Sequence, residues 1–303
     1  MAHHGFRRHV GEAALSHGRR HCRQPAAGAT DQSAQPQRRG PRALVAGHVH
    51  ELHVLFHRDL RGAGALMSAS FNGSSSRFYN NTDLPALVSG YPFAIFAWIK
   101  PTSASASYMV AGAGDFSGAQ DEFMMYADGA GTTKLRAFAR ASGSTAADSA
   151  SAMVTTWQPA LVVFTSTTSR TAYYAGGASG SDTTSQSVSF ANLDRVVVGV
   201  RGISNTLYYS GLMAHLAMWQ GTVPGASDWT SLAAGATPSS IASAGLIDYW
   251  ALTSTQGSNQ TGSNGYVLTA DSISNSTDNP TLGGGGGTAI AALMKHYRQR
   301  RAA

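Results

Sequence analysis

Phe93-Ala-Ile-Phe-Ala-Trp-Ile-Lys-Pro101 is the stretch on which the reading of this chain turns. Side chains alternate across a strand, so Phe93, Ile95, Ala97 and Ile99 share one face, and Phe96, Trp98 and Lys100 the other. Pro101 stops it, because proline brings no amide hydrogen to a ladder.

Working outward, the same kind of run recurs. Downstream lie Tyr108 to Gly112, Glu122 to Tyr126, a turn at Asp128-Gly129, and Leu135 to Arg140, which closes a hairpin with a longish loop. Ala160 to Thr165 and Thr171 to Ala175 make another pair, followed by Arg195 to Val200. Leu207 to Trp219 reads as a long strand bent near Gly211, and an aromatic strand returns within Ile241 to Leu252. Upstream, Ser68-Ala-Ser-Phe-Asn-Gly73 and Arg77-Phe-Tyr79 open the series. Only Ala226 to Ala234 starts with capping-type residues and predicts a short helix. Strands at such short intervals with no sustained helical period predict an all-β sandwich or barrel.

Composition agrees. Of 303 residues only 13% are charged, 43% are hydrophobic and 34 are glycine, which suits short strands and tight turns around a real core. The formal charge of +6 invites a nucleic-acid reading. Its distribution argues against one: residues 1–66 hold ten arginines against four acids, while 67–294 hold eight basic against twelve acidic side chains. Lys295, Arg298, Arg300 and Arg301 supply the rest. Cys22 is the single cysteine, so no internal disulfide can form. No apolar run is long enough for a membrane span, and no signal peptide is recognisable.

Four segments follow. Residues 1–66 carry nine of the 11 histidines and repeated Arg-Arg pairs without sustained periodicity. They are expected to be disordered, or an over-extended gene start in a GC-rich genome, with Met67 the natural beginning. Residues 67–255 form the sandwich. Residues 256–287 read as a Gly/Ser/Asn-rich linker ending in Gly283 to Gly287, and 288–303 as a short basic helix with Thr288 as N-cap. That helix either docks on an assembly or anionic surface or stays solvated.

The order of features is distinctive. Ser70-Phe-Asn-Gly-Ser74 opens, Phe93 to Pro101 follows, then Trp157-Gln-Pro-Ala-Leu-Val-Val-Phe164 and Tyr174-Ala-Gly-Gly177. Val196-Val-Val-Gly-Val200 precedes Tyr209-Ser-Gly-Leu-Met-Ala-His-Leu-Ala-Met-Trp219, with Trp229, Leu232, Gly235-Ala-Thr-Pro238 and Leu246-Ile-Asp-Tyr-Trp250 after it. This arrangement resembles the laminin-G-like branch of the concanavalin A-like lectin/glucanase superfamily, over about 68–255. The resemblance implies a jelly-roll sandwich of two antiparallel sheets. It also implies a non-catalytic module that binds glycans or serves a structural role. A compact, Ser/Ala/Gly-rich lectin-like module without cysteine or signal, ending in a basic tail, is further similar to accessory proteins of tailed bacteriophages. The expectation is thus a phage or prophage protein on a virion or extracellular surface, synthesised in the bacterial cytoplasm, with glycans or virion subunits as partners and its oligomeric state open. Calcium sites in relatives use acids just after the aromatic-x-Gly step, where Ala214 and His215 stand here. No metal or other cofactor is therefore expected.

Catalytic chemistry finds little to work with. A glycosidase needs two carboxylates on one face, whereas Asp121 and Glu122 are adjacent and point opposite ways, and Asp128 sits in a turn. A serine triad lacks both a Gly-x-Ser-x-Gly elbow and any body histidine except His215, which simple alternation groups with Met213 and Ala217, opposite Leu216 and Met218. No catalytic or metal residue is assigned. For glycans the usable groups are aromatic rings that stack on sugars. Trp98, Tyr126, Tyr173, Tyr174, Tyr208, Tyr209, Trp219 and Trp229 qualify by type, but most will fill the core. The candidate ligand-binding residues are Tyr208, Tyr209, Trp229, Asp115 and His215, with Tyr208 and Trp229 expected in exposed loops.

Overall fold

The computed structural model describes residues 67–253 and 257–282. The basic segment 1–66, the five glycines and the helix expected over 288–303 lie outside the described residues. Strands are numbered along the chain. The first sheet runs in the order β10 (Gly180–Asp182), β9 (Ser169–Tyr174), β8 (Gln158–Ser166), β3 (Phe93–Pro101), β12 (Ser210–Gln220), β1 (Ser68–Asn72) and β16 (Ser274–Ser276), with β13 (Leu246–Trp250) paired to the second half of β12. The second runs β14 (Gln260–Thr261), β15 (Val267–Asp271), β2 (Arg77–Asn80), β11 (Arg195–Val198), β4 (Tyr108–Gly114), β5 (Glu122–Asp128), β6 (Lys134–Arg140) and β7 (Ser144–Ala152). Neighbours are antiparallel in both, giving the two-sheet jelly-roll sandwich that the strand pattern and the resemblance predict.

β3 shows why the fold closes this way. Phe93, Ile95, Ala97 and Ile99 enter the core between the sheets, among Phe78, Phe123, Phe164 and Val198. Its other face, Ala94, Phe96 and Trp98, lies under Trp229 and Leu232. Those two residues belong to the helix Ala226–Ala233, here α2; α1 is the single turn Leu84–Leu87. Burying a large apolar side chain contributes roughly 1.5–3 kcal/mol, so a strand sealed on both faces anchors the molecule. Among the described residues the second sheet has no such helix on its outside. That face is partly covered by the loop of residues 199–209, whose Gly202 lies so close to Gly114 that a Cβ on Gly114 would come within 2.8 Å of it.

Three expectations need correction. First, the linker expected over 256–287 is built into both sheets as far as it is described: β15 pairs with β2, and β16 with β1. Ladder bonds need no apolar side chains, so Ser274–Ser276 leaves no hydrophobic signal, whereas β15 falls on the short apolar run Tyr266 to Leu268 that the sequence offers as a possible strand. Second, β7 (Ser-Thr-Ala-Ala-Asp-Ser-Ala-Ser-Ala) is a nine-residue strand that its small and polar residues hide. Third, β12 does not alternate simply. His215 adopts a positive φ of 54° in a bulge between Ala214 and Ala217, where the register to β3 shifts. Met213 and Leu216 therefore both enter the core, while Ala214 and Ala217 both join the outer cluster, so Met213 and Ala217 end on opposite faces.

Candidate functional site

The outer face of the second sheet gathers side chains that a core has no use for. Met109, Met124, Val197 and Val200 form its buried floor, with half-buried Tyr79, Tyr126, Phe138 and Tyr208 around them. Strand register explains the grouping. Tyr79, Val197, Gly112, Met124 and Phe138 lie in one row across β2, β11, β4, β5 and β6. The adjacent row places Met109 beside Tyr126, then Arg136 and Asp148. The Tyr126 and Phe138 rings sit 5.9 Å apart, and Tyr208 arrives from the covering loop.

Arginines surround this floor. Arg136 is held by Asp128 at 2.7 Å and by Asp148 on the facing strand. Arg201, on the covering loop, clamps the fully buried Glu122 through Nε at 3.1 and 3.2 Å to its two oxygens. Arg140, about a third exposed, stands 3.7 Å from the same carboxylate, too far for a good hydrogen bond. At the other end Arg195 and Arg77 flank the Tyr79 ring. The face thus offers flat apolar rings beside guanidinium donors.

The five residues chosen from sequence are not brought together. Tyr208 lies on this face. Tyr209, its neighbour, is fully buried in the core against Phe71 and Tyr108 and donates its hydroxyl to the Leu212 carbonyl at 3.0 Å. Trp229 is not the exposed loop aromatic expected. It sits on α2, packs on Tyr173 over the first sheet, and donates to the Gly177 carbonyl at 3.2 Å. Asp115 is buried and caps its own turn, accepting from the Gly118 amide at 2.6 Å. His215 bonds the Tyr249 hydroxyl at 2.7 Å beside the first sheet. Burial alone pushes its pKa down to about 4. Tyr126, Phe138 and the arginines went unselected, because alternation tells which residues share a face but not which face another element will cover.

The carboxylates are committed elsewhere. Asp121 accepts from the Ser189 amide and the Asn192 side chain, while Glu122 faces the opposite side in its arginine clamp. Among the described residues no group of three or more His, Cys, Asp or Glu side chains is placed to hold a metal ion. No described helix is long and apolar enough to cross a membrane.

The model of a laminin G-type family of the concanavalin A-like lectin/glucanases superfamily matches residues 72–227. None of the curated proteins compared with the chain matches it. Among solved structures, a candidate carbohydrate-binding protein of Bacteroides ovatus aligns at 14% identity and TM-score 0.49, over 72% of this chain and 61% of its own. The chain thus spans less than two thirds of that protein. The CBM40 domain of the Ruminococcus gnavus IT-sialidase, bound to α2,3-sialyllactose, aligns at 15% identity and TM-score 0.45, over 56% of this chain and 98% of its own. Domain 4 of a Geobacillus stearothermophilus extracellular arabinanase, in complex with arabinotriose, aligns at 17% identity and TM-score 0.42, over 57% and 91%.

Proposed function

The chain belongs to the concanavalin A-like lectin/glucanases superfamily, and from that premise we propose that it is a non-catalytic module that binds glycans on the outer face of its second sheet. One observation carries the reading: Tyr126, Phe138 and Tyr208 stay half-buried around a buried Met124 floor, on a face that no helix among the described residues covers. Aromatic faces stack on the C–H faces of sugar rings, and the amphipathic tyrosines add a hydroxyl. Arg140 and Arg136 supply donors for sugar oxygens at the margin. The two adjacent carboxylates are tied up in turn capping and an ion pair, which suits binding rather than hydrolysis. A phage or prophage virion, or another extracellular surface, is the setting we propose for it, since surface glycans are met there.

The test is a glycan-array and lipopolysaccharide screen of the full chain, with calcium and with chelator. Saturable binding is expected, weakened at least tenfold by Phe138→Ala or Tyr126→Ala, each with a near-native melting curve. An unaltered array profile in both variants would remove the site. No binding at all would remove the function and leave a structural assembly module, to be sought through protein partners.

A further inference from the structure

At the β2–β11 end of the same face sits a cation that no described carboxylate contacts as an ion pair. Arg195 is only 4% exposed, yet among the described residues no carboxylate pairs with it. Its guanidinium lies 4.4 Å from the centre of the Phe116 ring and 5.8 Å from that of Tyr79. Nη1 donates to Asn205 Oδ1 at 3.1 Å. The same oxygen accepts from Arg77 Nη1 at 2.7 Å, so two guanidinium groups converge on one neutral amide. Arg77 has its own carboxylate, Asp271 at 3.0 Å, and among the described residues Arg195 has none in ion-pair contact.

The nearby acids are already engaged. Asp194 accepts from the Phe116 and Ser117 amides, and Asp115 from Ser117 and Gly118. Nε of Arg195 is buried with no hydrogen-bond partner. Nε and Nη2 together form the edge of a guanidinium that grips two oxygens of one anion in parallel. Stacked rings offset part of what it costs to bury a lone cation, but not the unmet donor. Phe116, whose ring the guanidinium overlies, is 44% exposed, which leaves an aromatic surface open to a sugar.

We propose that Arg195, positioned by Asn205 and supported by Arg77, is an oxyanion subsite that recognises the acidic group of a charged glycan, a carboxylate or a sulfate ester, whose ring lies against Phe116. The proposal rests on the glycan-binding reading above and narrows it to acidic sugars. Both Nε–H and Nη2–H donate to the anion, and no bond is made or broken. The arrangement also assigns a use to Asn205: an aspartate there would neutralise the pair internally, and the neutral amide leaves the charge to be met from outside.

The experiment follows the Nε–H resonance of Arg195 in the full chain by nitrogen–proton NMR, identified by its loss in Arg195→Lys. Glucose, glucuronate and glucose 6-sulfate are titrated in turn. At least one acidic sugar is expected to move the resonance saturably, which also identifies the oxyanion, while glucose leaves it in place. Asn205→Asp, which keeps the acceptor oxygen and so the local structure, is expected to weaken that response at least tenfold. The proposal falls if neither acid moves the resonance, if glucose moves it equally, or if Asn205→Asp makes no difference. Neutral glycans that bind through Phe138 while Arg195 ignores both acids would reject the subsite and keep the broader reading. A saturable response at Arg195 with no glycan bound on the array would do the reverse.

Discussion

His215 shows how much one residue's surroundings can decide. In the bulge of β12 it is taken out of water, and burial lowers its pKa from 6.5 to about 4. The neutral imidazole bonds the Tyr249 hydroxyl, and the two rings stack at 6.0 Å. The unfolded chain binds this proton more readily than the folded one, so its contribution to stability is complete above the unfolded pKa. It is lost as pH falls from about 6.5 toward 4. The shift corresponds to roughly 3 kcal/mol at most. His215→Asn tolerates the left-handed backbone and does not titrate, so its urea-unfolding free energy should fall less between pH 7 and pH 4.5 than that of the unaltered chain. Parallel losses in the two proteins would refute the assignment. Tyr208 was legible as a face residue, but adjacent Tyr209 points inward, and Trp229 was hidden by a helix whose docking no local pattern states.

Elements with an apolar stripe were legible and polar ones were not, for a physical reason. β3, β5, β8 and β12 declare themselves because burial selects their side chains. β14 and its turn are held instead by polar contacts, with one carboxylate at their centre. Asp248 on β13 is fully buried and accepts from the Ser263 hydroxyl at 3.0 Å and from the amides of Asn264 and Tyr266 at 2.7 and 3.0 Å. It thereby fixes the hairpin that carries β15 onto β2. Asp248→Ala would leave several buried donors unmet, at a cost of about 3 kcal/mol or more. Asp248→Asn keeps part of the acceptor set and should cost less. Equal, small losses in denaturant midpoint for both variants would show that the hairpin is held by other means.

At the scale of the whole molecule, the sandwich is completed by segments far apart in sequence. β16 lies beside β1, and the Asp278 backbone carbonyl accepts from the Ser68 hydroxyl at 2.7 Å, 210 residues away. The Asp278 carboxylate accepts from Trp157 Nε1 at 2.7 Å and pairs with Lys100, whose bond is the main reason its pKa is held below the ordinary carboxylate value. Trp250 donates to the Tyr266 carbonyl at 2.9 Å, and Leu268 is sealed in the core. Two sheets thus share one closing segment, which a boundary placed at 255 would cut away. Comparing a chain ended after Thr253 with one ended after Leu282 isolates that segment. The shorter chain would expose the free edges of β1 and β2 and lose the Asp278 contacts. Each kcal/mol lost lowers the melting temperature of a domain this size by about 2–4 °C. The loss of a paired strand from each sheet should therefore lower it by more than 10 °C, or send the chain into aggregates through its open edges. Matching melting curves for the two chains would mean that residues 257–282 rest on a sandwich already complete without them.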